Sequence, residues 1–189
     1  MDSNKLYNER WEFCKKWIPS NPFLNVLYQN KDIIKDLDKI KSFIETGTFM
    51  GNTSDIFAKL FSKVHTIEKN LTVEKSKNHE IIQKNNNNIN FITGDSPNEI
   101  KNILTDNPQE RFLILLDAHD GITSPLTEEL KTIKKYSEVS NHVIIIDDCV
   151  DLGSGNWPTI EEMFGLIYDI NKNYTIMNTH TGRDIHLIY

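Results

Sequence analysis

Acidic side chains in this sequence stand directly after apolar runs, where ligands and catalytic groups are often placed. In FIETGTFMGNTSDIF, Glu45 ends the first run and is followed by Gly47 and Gly51. Glu68 and Asp95 end the next two runs, in VHTIE and INFITGD. Two later runs end in LLDAHD and IIIDDC. If these runs are parallel strands of one open sheet, their acids meet at the edge where such sheets bind ligands.

Glu45 favours a ligand that carries positive charge. A carboxylate in this place would repel a pyrophosphate but would suit an ammonium or a sulfonium group. Gly47 and Gly51 allow positive φ or a close approach of the backbone to a ligand, and the start of the next helix offers free N–H groups to an anion. Phe49 and Asn52 replace two glycines of the dinucleotide pattern G-x-G-x-x-G. S-adenosylmethionine carries an ammonium and a sulfonium group, which suit Glu45, and a carboxylate, which suits the start of the helix.

Glu68 and Asp95 suit an adenosine. The Glu68 carboxylate is predicted to accept both hydrogen bonds of a ribose diol, which by itself does not separate NAD from S-adenosylmethionine. Asp95 is predicted to accept from the adenine amino group, with Ser96 as a further polar contact. Asn52 or Thr53 is expected to cap the helix after the first loop. The predicted cofactor-binding residues of that loop are Thr46, Gly47, Thr48, Gly51, Asn52 and Thr53.

A second group of acids follows the fourth and fifth runs. Asp117 is followed by His119 and Asp120, and the next run ends in Asp147 and Asp148. Converging carboxylates repel one another, so they either take up protons or hold a cation. Oxygen ligands suit Mg²⁺, which would lower the pKa of a substrate hydroxyl. We predict His119 as the base that removes the proton and Asp120 as second choice. Alternatively, the Asp147–Asp148 pair only caps the following loop.

Helical patterns alternate with the apolar runs that must position these residues. The fourth and fifth runs are continuously apolar, as in strands buried on both faces of a parallel sheet. This order predicts a doubly wound α/β fold. The strand-like runs are SFIET (42–46), VHTIE (64–68), INFITG (89–94), FLILLDA (112–118), VIIIDD (143–148), YTIMNT (174–179) and DIHLIY (184–189).

The two ends of the chain depart from the alternation. The last two runs flank HTGRD, in which Gly182 is predicted to turn, so the final strand of this hairpin should be antiparallel to the rest. Residues 1–40 are predicted to be a helical extension that packs on the sheet edge or covers the site as a lid. Residues 41–189 form the predicted catalytic domain.

Composition limits the class of partner. The net charge of -6 over 189 residues disfavours nucleic acid. Two cysteines far apart do not form a disulfide framework, and no apolar run reaches the length of a membrane span. The first ten residues lack the pattern of a signal peptide. We therefore expect a cytoplasmic protein without membrane contact, acting on a small molecule or a sugar, and a homodimer remains open.

The quoted motifs resemble those of the class I S-adenosylmethionine-dependent methyltransferases. ETGTFMGNTS is similar to their first motif, VHTIE to their acidic second-strand motif and GDS to their adenine motif. The resemblance covers the chain from about residue 40 and implies a Rossmann-like, mostly parallel sheet of seven strands with an antiparallel C-terminal hairpin strand.

The acids after the fourth and fifth strands resemble those of metal-dependent O-methyltransferases that act on catechols and sugars. The resemblance implies that Asp117, Asp147 and Asp148 hold Mg²⁺. In the sugar-modifying members the base is an acid two residues after the first ligand, and His119 has that place here. We therefore expect an O-methyltransferase. The alternatives are a catalytically inactive methyltransferase-like binding module, and a nucleotide-sugar or dinucleotide-binding enzyme on a similar sheet.

Overall fold

Seven strands form one sheet in the computed structural model, which describes residues 3–180 and 184–189 of the protein. The strands are β1 (Ser42–Thr46), β2 (Lys63–Glu68), β3 (Ile89–Thr93), β4 (Phe112–Leu116), β5 (Val143–Ile146), β6 (Ile176–His180) and β7 (Asp184–Ile188). Their spatial order is β3-β2-β1-β4-β5-β7-β6. The first five pair in parallel, and β7 is antiparallel to both β5 and β6. The predicted fold is confirmed, including the direction of the last strand.

Seven helices within the described residues surround the sheet. They are α1 (Ser3–Cys14), α2 (Pro22–Asn30), α3 (Asn52–Phe57), α4 (Val73–Asn85), α5 (Ser96–Asp106), α6 (Leu126–Tyr136) and α7 (Ile160–Ile170). Short 3₁₀ segments cover Lys15–Ser20, Leu37–Lys39 and Cys149–Asp151. None of the described helices is long and apolar enough to cross a membrane. The predicted turn at Gly182 lies outside the described residues.

Two apolar layers cover the sheet, because successive side chains of each strand point to opposite faces. Every residue of β1, β4 and β5 is buried, as their continuous apolar runs predicted. On one face the core contains Phe43 and Phe57, whose rings stack 4.4 Å apart. On the other face, the core joins Ile44 of β1 to residues of α5, α6 and α7.

The N-terminal helices belong to the first of these two cores. Trp11, Leu24 and Leu27 are buried together with Phe43 of β1 and Leu113 of β4. The described part of residues 1–40 therefore completes one face of the sheet. The expected positions on the sheet edge or over the site as a lid are corrected by this packing, since the apolar side chains of α1 and α2 are buried with residues of β1 and β4 in the middle of the sheet. The domain boundary at residue 40 stays a prediction.

The chain changes direction across the sheet between β1 and β4. From β1 it continues outward through β2 to β3, and it then returns to the other side of β1 to build β4 and β5. Crossovers on opposite faces separate at this point, and a crevice opens at the carboxyl ends of the strands. The fold thus fixes where a ligand site is expected before any side chain is considered.

Candidate functional site

A cleft of about 800 Å³ opens at the carboxyl ends of the parallel strands. This volume is in the range of small-molecule and cofactor sites. The cleft runs from the ends of β2 and β3, past the loop after β1, to the loops after β4 and β5. Predicted residues that line it are Gly47, Glu68, Asp95, Ser96, Asp117, His119, Asp120 and Asp148. One cleft therefore brings together residues separated by about half of the chain.

Gly47 allows the first loop to pass close to the loop after β4. Its φ is +80°, and a Cβ at this position would overlap the backbone carbonyl of Asp117. The amides of Gly47 and Thr48 donate to the Ile67 carbonyl, which holds the loop against β2. Phe49 follows with a φ of 48° and a side chain that is 66% exposed. The loop thus turns its backbone toward the cleft at Gly47, the position that the sequence predicted.

Glu68 occupies the predicted place at the end of β2, but its carboxylate already has partners. Oε2 accepts from the Phe49 amide at 2.8 Å and Oε1 from the Asn70 amide at 2.9 Å. Lys75 of α4 lies 3.0 Å from Oε1, and both side chains of this ion pair are largely buried. Glu68 therefore fastens the first loop and keeps only part of its accepting capacity for a ribose.

Asp95 is also paired, more loosely. Its Oδ1 lies 2.8 Å from Lys69 Nζ, and both side chains are exposed, so the ion pair is easily exchanged for a ligand. Asn98 donates to Oδ2 at 3.3 Å. Ser96 begins α5 beside Asp95 and also lines the cleft. The end of β3 thus offers a carboxylate that can accept from an adenine amino group once Lys69 moves aside.

The structure corrects the predicted role of Glu45. Its side chain is 2% exposed and does not line the cleft. Glu45 faces α3, because the alternation along β1 places it on the same side as Phe43. There it accepts from the hydroxyls of Ser54 and Thr66. Burial raises its pKa to about 7, although these hydrogen bonds lower it. Glu45 therefore supports the loop from below and does not meet a ligand's ammonium group.

The remaining loop residues are also placed differently from the prediction. Thr46 and Thr48 are buried, and their hydroxyls bond the Asp117 amide and the Thr66 hydroxyl. Gly51 has a φ of +82° and is the N-cap of α3 without a side-chain hydrogen bond, so the predicted caps at Asn52 and Thr53 are wrong. Besides Glu45, five predicted cofactor-binding residues lie outside the cleft lining: Thr46, Thr48, Gly51, Asn52 and Thr53.

Glu129 is a buried carboxyl group beneath the cleft that sequence reasoning missed. It is 1% exposed on α6, and its Oε1 has no hydrogen-bond partner. Burial raises its pKa to about 7, against hydrogen bonds from Ser96 and Thr46 and with a small contribution from Asp95. The helical period contained the signal, since position 129 lies three residues after the inward-facing Leu126.

Three donors meet at the other end of the cleft. His119 Nε2 lies 3.0 Å from Asp148 Oδ2. One ligand atom each from Asp117, His119 and Asp148 lies within 4.8 Å of the others. The His119 ring is held 6.0 Å from the ring of Trp157, which is buried. The loops after β4 and β5 thus bring two carboxylates and one imidazole together at the surface of the cleft.

Asp147 is not part of this group, which corrects the predicted ligand set. Its amide donates to the Leu116 carbonyl at 3.1 Å and continues the ladder between β4 and β5. Its side chain is 1% exposed and does not line the cleft. Asp148 leaves the ladder with a left-handed φ of 51° and turns its carboxylate into the cleft. Asp147 stays in the ladder while the left-handed backbone of Asp148 carries that residue out of it, so only one of this pair reaches the site.

Other cleft residues gave no sequence signal of a site. Lys69 and Lys75 each pair with a predicted cofactor-binding acid. Asn156 lines the cleft from the loop before α7, and its Oδ1 accepts from the Ser124 amide at 2.7 Å. These contacts depend on how the loops fold over one another, which cannot be predicted from residue spacing or from the hydrophobic periodicity of the sequence.

Comparisons with known proteins agree on the fold. No family model and no curated protein matches the sequence. A candidate caffeoyl-CoA O-methyltransferase from Staphylococcus aureus matches with a TM-score of 0.56 and 20% identity, over 86% of this chain and 81% of that one. A candidate O-methyltransferase from Klebsiella pneumoniae gives 0.53 and 14%, over 99% and 88%. MtNAS in complex with S-adenosylmethionine gives 0.51 and 13%, over 98% and 72%. The chain has the fold of the class I S-adenosylmethionine-dependent methyltransferases.

Proposed function

We propose that the protein is an S-adenosylmethionine-dependent methyltransferase that transfers the methyl group to a hydroxyl of a small molecule or a sugar. The observation that carries this proposal is the common cleft at the carboxyl ends of the parallel strands. Gly47, Glu68, Asp95 and Asp117 contribute to it from the ends of four strands. In open α/β folds this edge is where ligands bind.

The cofactor is proposed to lie along the cleft with its adenosine toward β2 and β3. The ribose hydroxyls face Glu68, where they share the carboxylate with Lys75, and the adenine amino group faces Asp95. The methionine part is proposed to lie beside the first loop at Gly47, where the absence of a side chain lets this loop and the backbone of Asp117 line the cleft together. The sulfonium then points toward Asp117, whose negative charge favours it.

The acceptor is proposed to bind at the end of the cleft formed by the loops after β4 and β5. Methyl transfer is an in-line displacement in which the sulfur–carbon bond breaks as an oxygen–carbon bond forms. The protein mainly aligns the two reactants. The acceptor hydroxyl must lose its proton, and the exposed side chains of His119 and Asp120 both line this end. Because His119 contacts Asp148, its availability as a base depends on whether a cation is bound there.

Only two of the three predicted carboxylate ligands are in position to hold a divalent cation at this end of the cleft. Asp117 and Asp148 are in position to hold one, whereas Asp147 is turned into the protein. When bound, a cation lowers the pKa of a coordinated hydroxyl. Asp120 lies three residues after Asp117 and directly after His119, and we assign it proton removal when His119 is engaged.

Thermal unfolding with S-adenosylhomocysteine tests the cofactor assignment. A ligand at about 100 times its Kd adds ~2.7 kcal/mol to the free energy of unfolding and gives a clear rise in Tm. We expect this rise with S-adenosylmethionine and S-adenosylhomocysteine and none with NAD. Asp95→Asn should weaken binding, while Asp106→Asn, at the far end of α5, should leave it unchanged. A rise with NAD alone would support the dinucleotide-binding alternative.

A non-catalytic S-adenosylmethionine-binding module is the second candidate, and one observation favours it. Both predicted adenosine-binding acids are paired with lysines, Glu68 with Lys75 and Asp95 with Lys69. Such internal pairing is what a binding module without turnover would show. The two candidates differ in one measurement, the release of S-adenosylhomocysteine in the presence of catechols, sugars and other hydroxyl compounds. An enzyme releases it with at least one acceptor, and a binding module with none.

A further inference from the structure

The donors at the acceptor end of the cleft differ in chemistry from an all-oxygen magnesium site. Asp117 and Asp148 supply carboxylates, and His119 supplies an imidazole nitrogen. Mg²⁺ prefers oxygen ligands, whereas divalent first-row transition metals also bind mixed sets of nitrogen and oxygen ligands. The third carboxylate that the resemblance implied, Asp147, is buried away from this group. The donor set therefore has one nitrogen and two carboxylates.

We infer that Asp117, His119 and Asp148 bind a divalent transition-metal ion, such as Mn²⁺, in preference to Mg²⁺. The inference rests on the proposed function, to which it adds the kind of metal and the role of His119. His119 is then a ligand of the metal, and proton removal falls to Asp120. An ion held by these residues would lie at the surface of the cleft that all three line, where it could also bind water or an acceptor oxygen.

The spacing of the donors agrees with this assignment. Metal–ligand distances of about 2.1 Å place two ligands at a right angle about 3 Å apart. His119 Nε2 and Asp148 Oδ2 are 3.0 Å apart. The Asp117 carboxylate joins them within 4.8 Å, so small side-chain rotations bring three donors around one centre.

The supporting structure holds the three donors from two adjacent strands. The amide of Asp117 is fixed by the Thr46 hydroxyl at 3.2 Å, and the ladder from β4 to β5 continues to the Asp147 amide. The ring of His119 lies 6.0 Å from that of Trp157. Asp148 follows directly after the ladder. The site is thus built on the rigid sheet edge, with His119 on the loop that follows β4.

Metal binding by the full-length protein tests the inference. After treatment with a chelator, the protein is titrated with Mn²⁺ and the free ion is followed by electron paramagnetic resonance, and a parallel calorimetric titration uses Mg²⁺. We expect one Mn²⁺ per chain and an affinity for Mg²⁺ at least about tenfold lower. Nitrogen coupling in the pulsed spectrum of bound Mn²⁺ should identify the imidazole and should vanish in His119→Ala.

Matched variants separate the two possible ligand sets. His119→Ala and Asp148→Asn should each lower Mn²⁺ affinity by about tenfold or more. Asp120→Asn, in the same exposed loop, and Asp147→Asn should leave it within about twofold. Circular dichroism checks that each variant is folded, and His119→Asn replaces His119→Ala if that variant is not. Equal affinity for Mg²⁺, no Mn²⁺ binding, or loss of binding in Asp147→Asn but not in His119→Ala would overturn the inference.

The result is independent of the cofactor assignment. S-adenosylhomocysteine binding is measured by thermal unfolding in the presence of the chelator. If that binding is found and Mn²⁺ binding is not, the metal inference fails while the proposed methyltransferase function stands. If Mn²⁺ binds and S-adenosylhomocysteine does not, the metal site exists but the proposed function fails.

Discussion

Glu129 combines deep burial with an unpartnered carboxyl oxygen directly beneath the candidate cofactor cleft. Its folded-state pKa of about 7 lies above the ordinary value of 4.5. The folded protein therefore holds this proton more tightly than the unfolded chain. The stabilising contribution is fully present below pH 4.5, declines as the pH rises, and is lost once the pH passes about 7.

Glu129→Gln should make the protein more stable at alkaline pH. The uncharged amide does not need to ionise in a buried place, so we expect the free energy of unfolding at pH 8.5 to rise by about 1–3 kcal/mol. At pH 5 the variant and the parent protein should differ little. Denaturant unfolding at both pH values measures the effect. Glu128→Gln, on the exposed face of the same helix, is the control, and an equal gain there would contradict the explanation.

Gly47→Ala should disrupt the first loop. The substitution combines a positive φ with an overlap against the Asp117 carbonyl. Gly153 has a similar φ of +82° but nothing within 4 Å of an added Cβ, so Gly153→Ala carries the backbone strain alone. We expect Gly47→Ala to cost about 1–3 kcal/mol more than Gly153→Ala and to weaken S-adenosylhomocysteine binding. Equal losses of stability, measured by denaturant unfolding, would mean that the close approach has no consequence.

Single positions were predictable at the last residue of a strand or just beyond it. Glu68 is the last residue of β2, Asp95 follows β3, and both line the cleft. Glu45 and Asp147 were misplaced, because a residue still inside the ladder points to one face of the sheet and not to its edge. From the sequence, the last ladder residue is known only to within one or two positions, and one position reverses the side chain's direction. The lysine partners of Glu68 and Asp95 left no pattern at all.

At the scale of elements, α7 shows how local sequence fixes a boundary. Thr159 accepts from the Glu162 amide, and the Glu162 side chain accepts from the Thr159 amide, which completes a capping box. Thr159→Ala should cost about 1 kcal/mol of stability, since the helix loses a partner for a free amide. Thr159→Ser keeps the hydroxyl and should be nearly neutral. Denaturant unfolding compares them, and equal values for the two variants would argue against the cap.

The elements themselves were largely predictable, with errors at their ends. The strand predicted over residues 42–46 is found as β1, and the one predicted over residues 112–118 ends two residues earlier as β4. The start of α3 was harder. A positive φ at Gly51 makes that residue the N-cap without any side-chain oxygen, and the neighbouring Asn52 and Thr53 are better capping types by composition alone. At the start of α3 the backbone conformation therefore determines the N-cap, and the capping preference of the side chains does not.

At the scale of the whole molecule, the N-terminal helices are part of one core. Leu24 is fully buried, whereas Ile33, in the same predicted extension, is 53% exposed. Leu24→Ala should cost about 2–5 kcal/mol because it opens a cavity, and Ile33→Ala should cost less than about 0.5 kcal/mol. Denaturant unfolding measures the free energy of both variants, and each should unfold in a single cooperative transition. A small loss for Leu24→Ala would support a separate, loosely attached extension instead.

The doubly wound fold followed from the sequence because apolar runs and helical patterns alternate between residue 40 and the C-terminal hairpin. Two features of the whole molecule did not follow. The amphipathic helices of residues 1–40 pack on a face that local patterns do not identify, because any apolar surface of the sheet satisfies them. The pairing of Asp148 with His119, in place of Asp147, depends on the relative twist of two loops from different strands.

The calorimetric titration of the protein with S-adenosylhomocysteine tests the central claim most directly. The cleft formed by the loops after β1, β2, β3 and β4 predicts saturable binding of one molecule per chain, weakened in both Glu68→Gln and Asp95→Asn. A titration without heat at millimolar ligand, or binding that is unchanged in both variants, would contradict the assignment of this cleft to the cofactor.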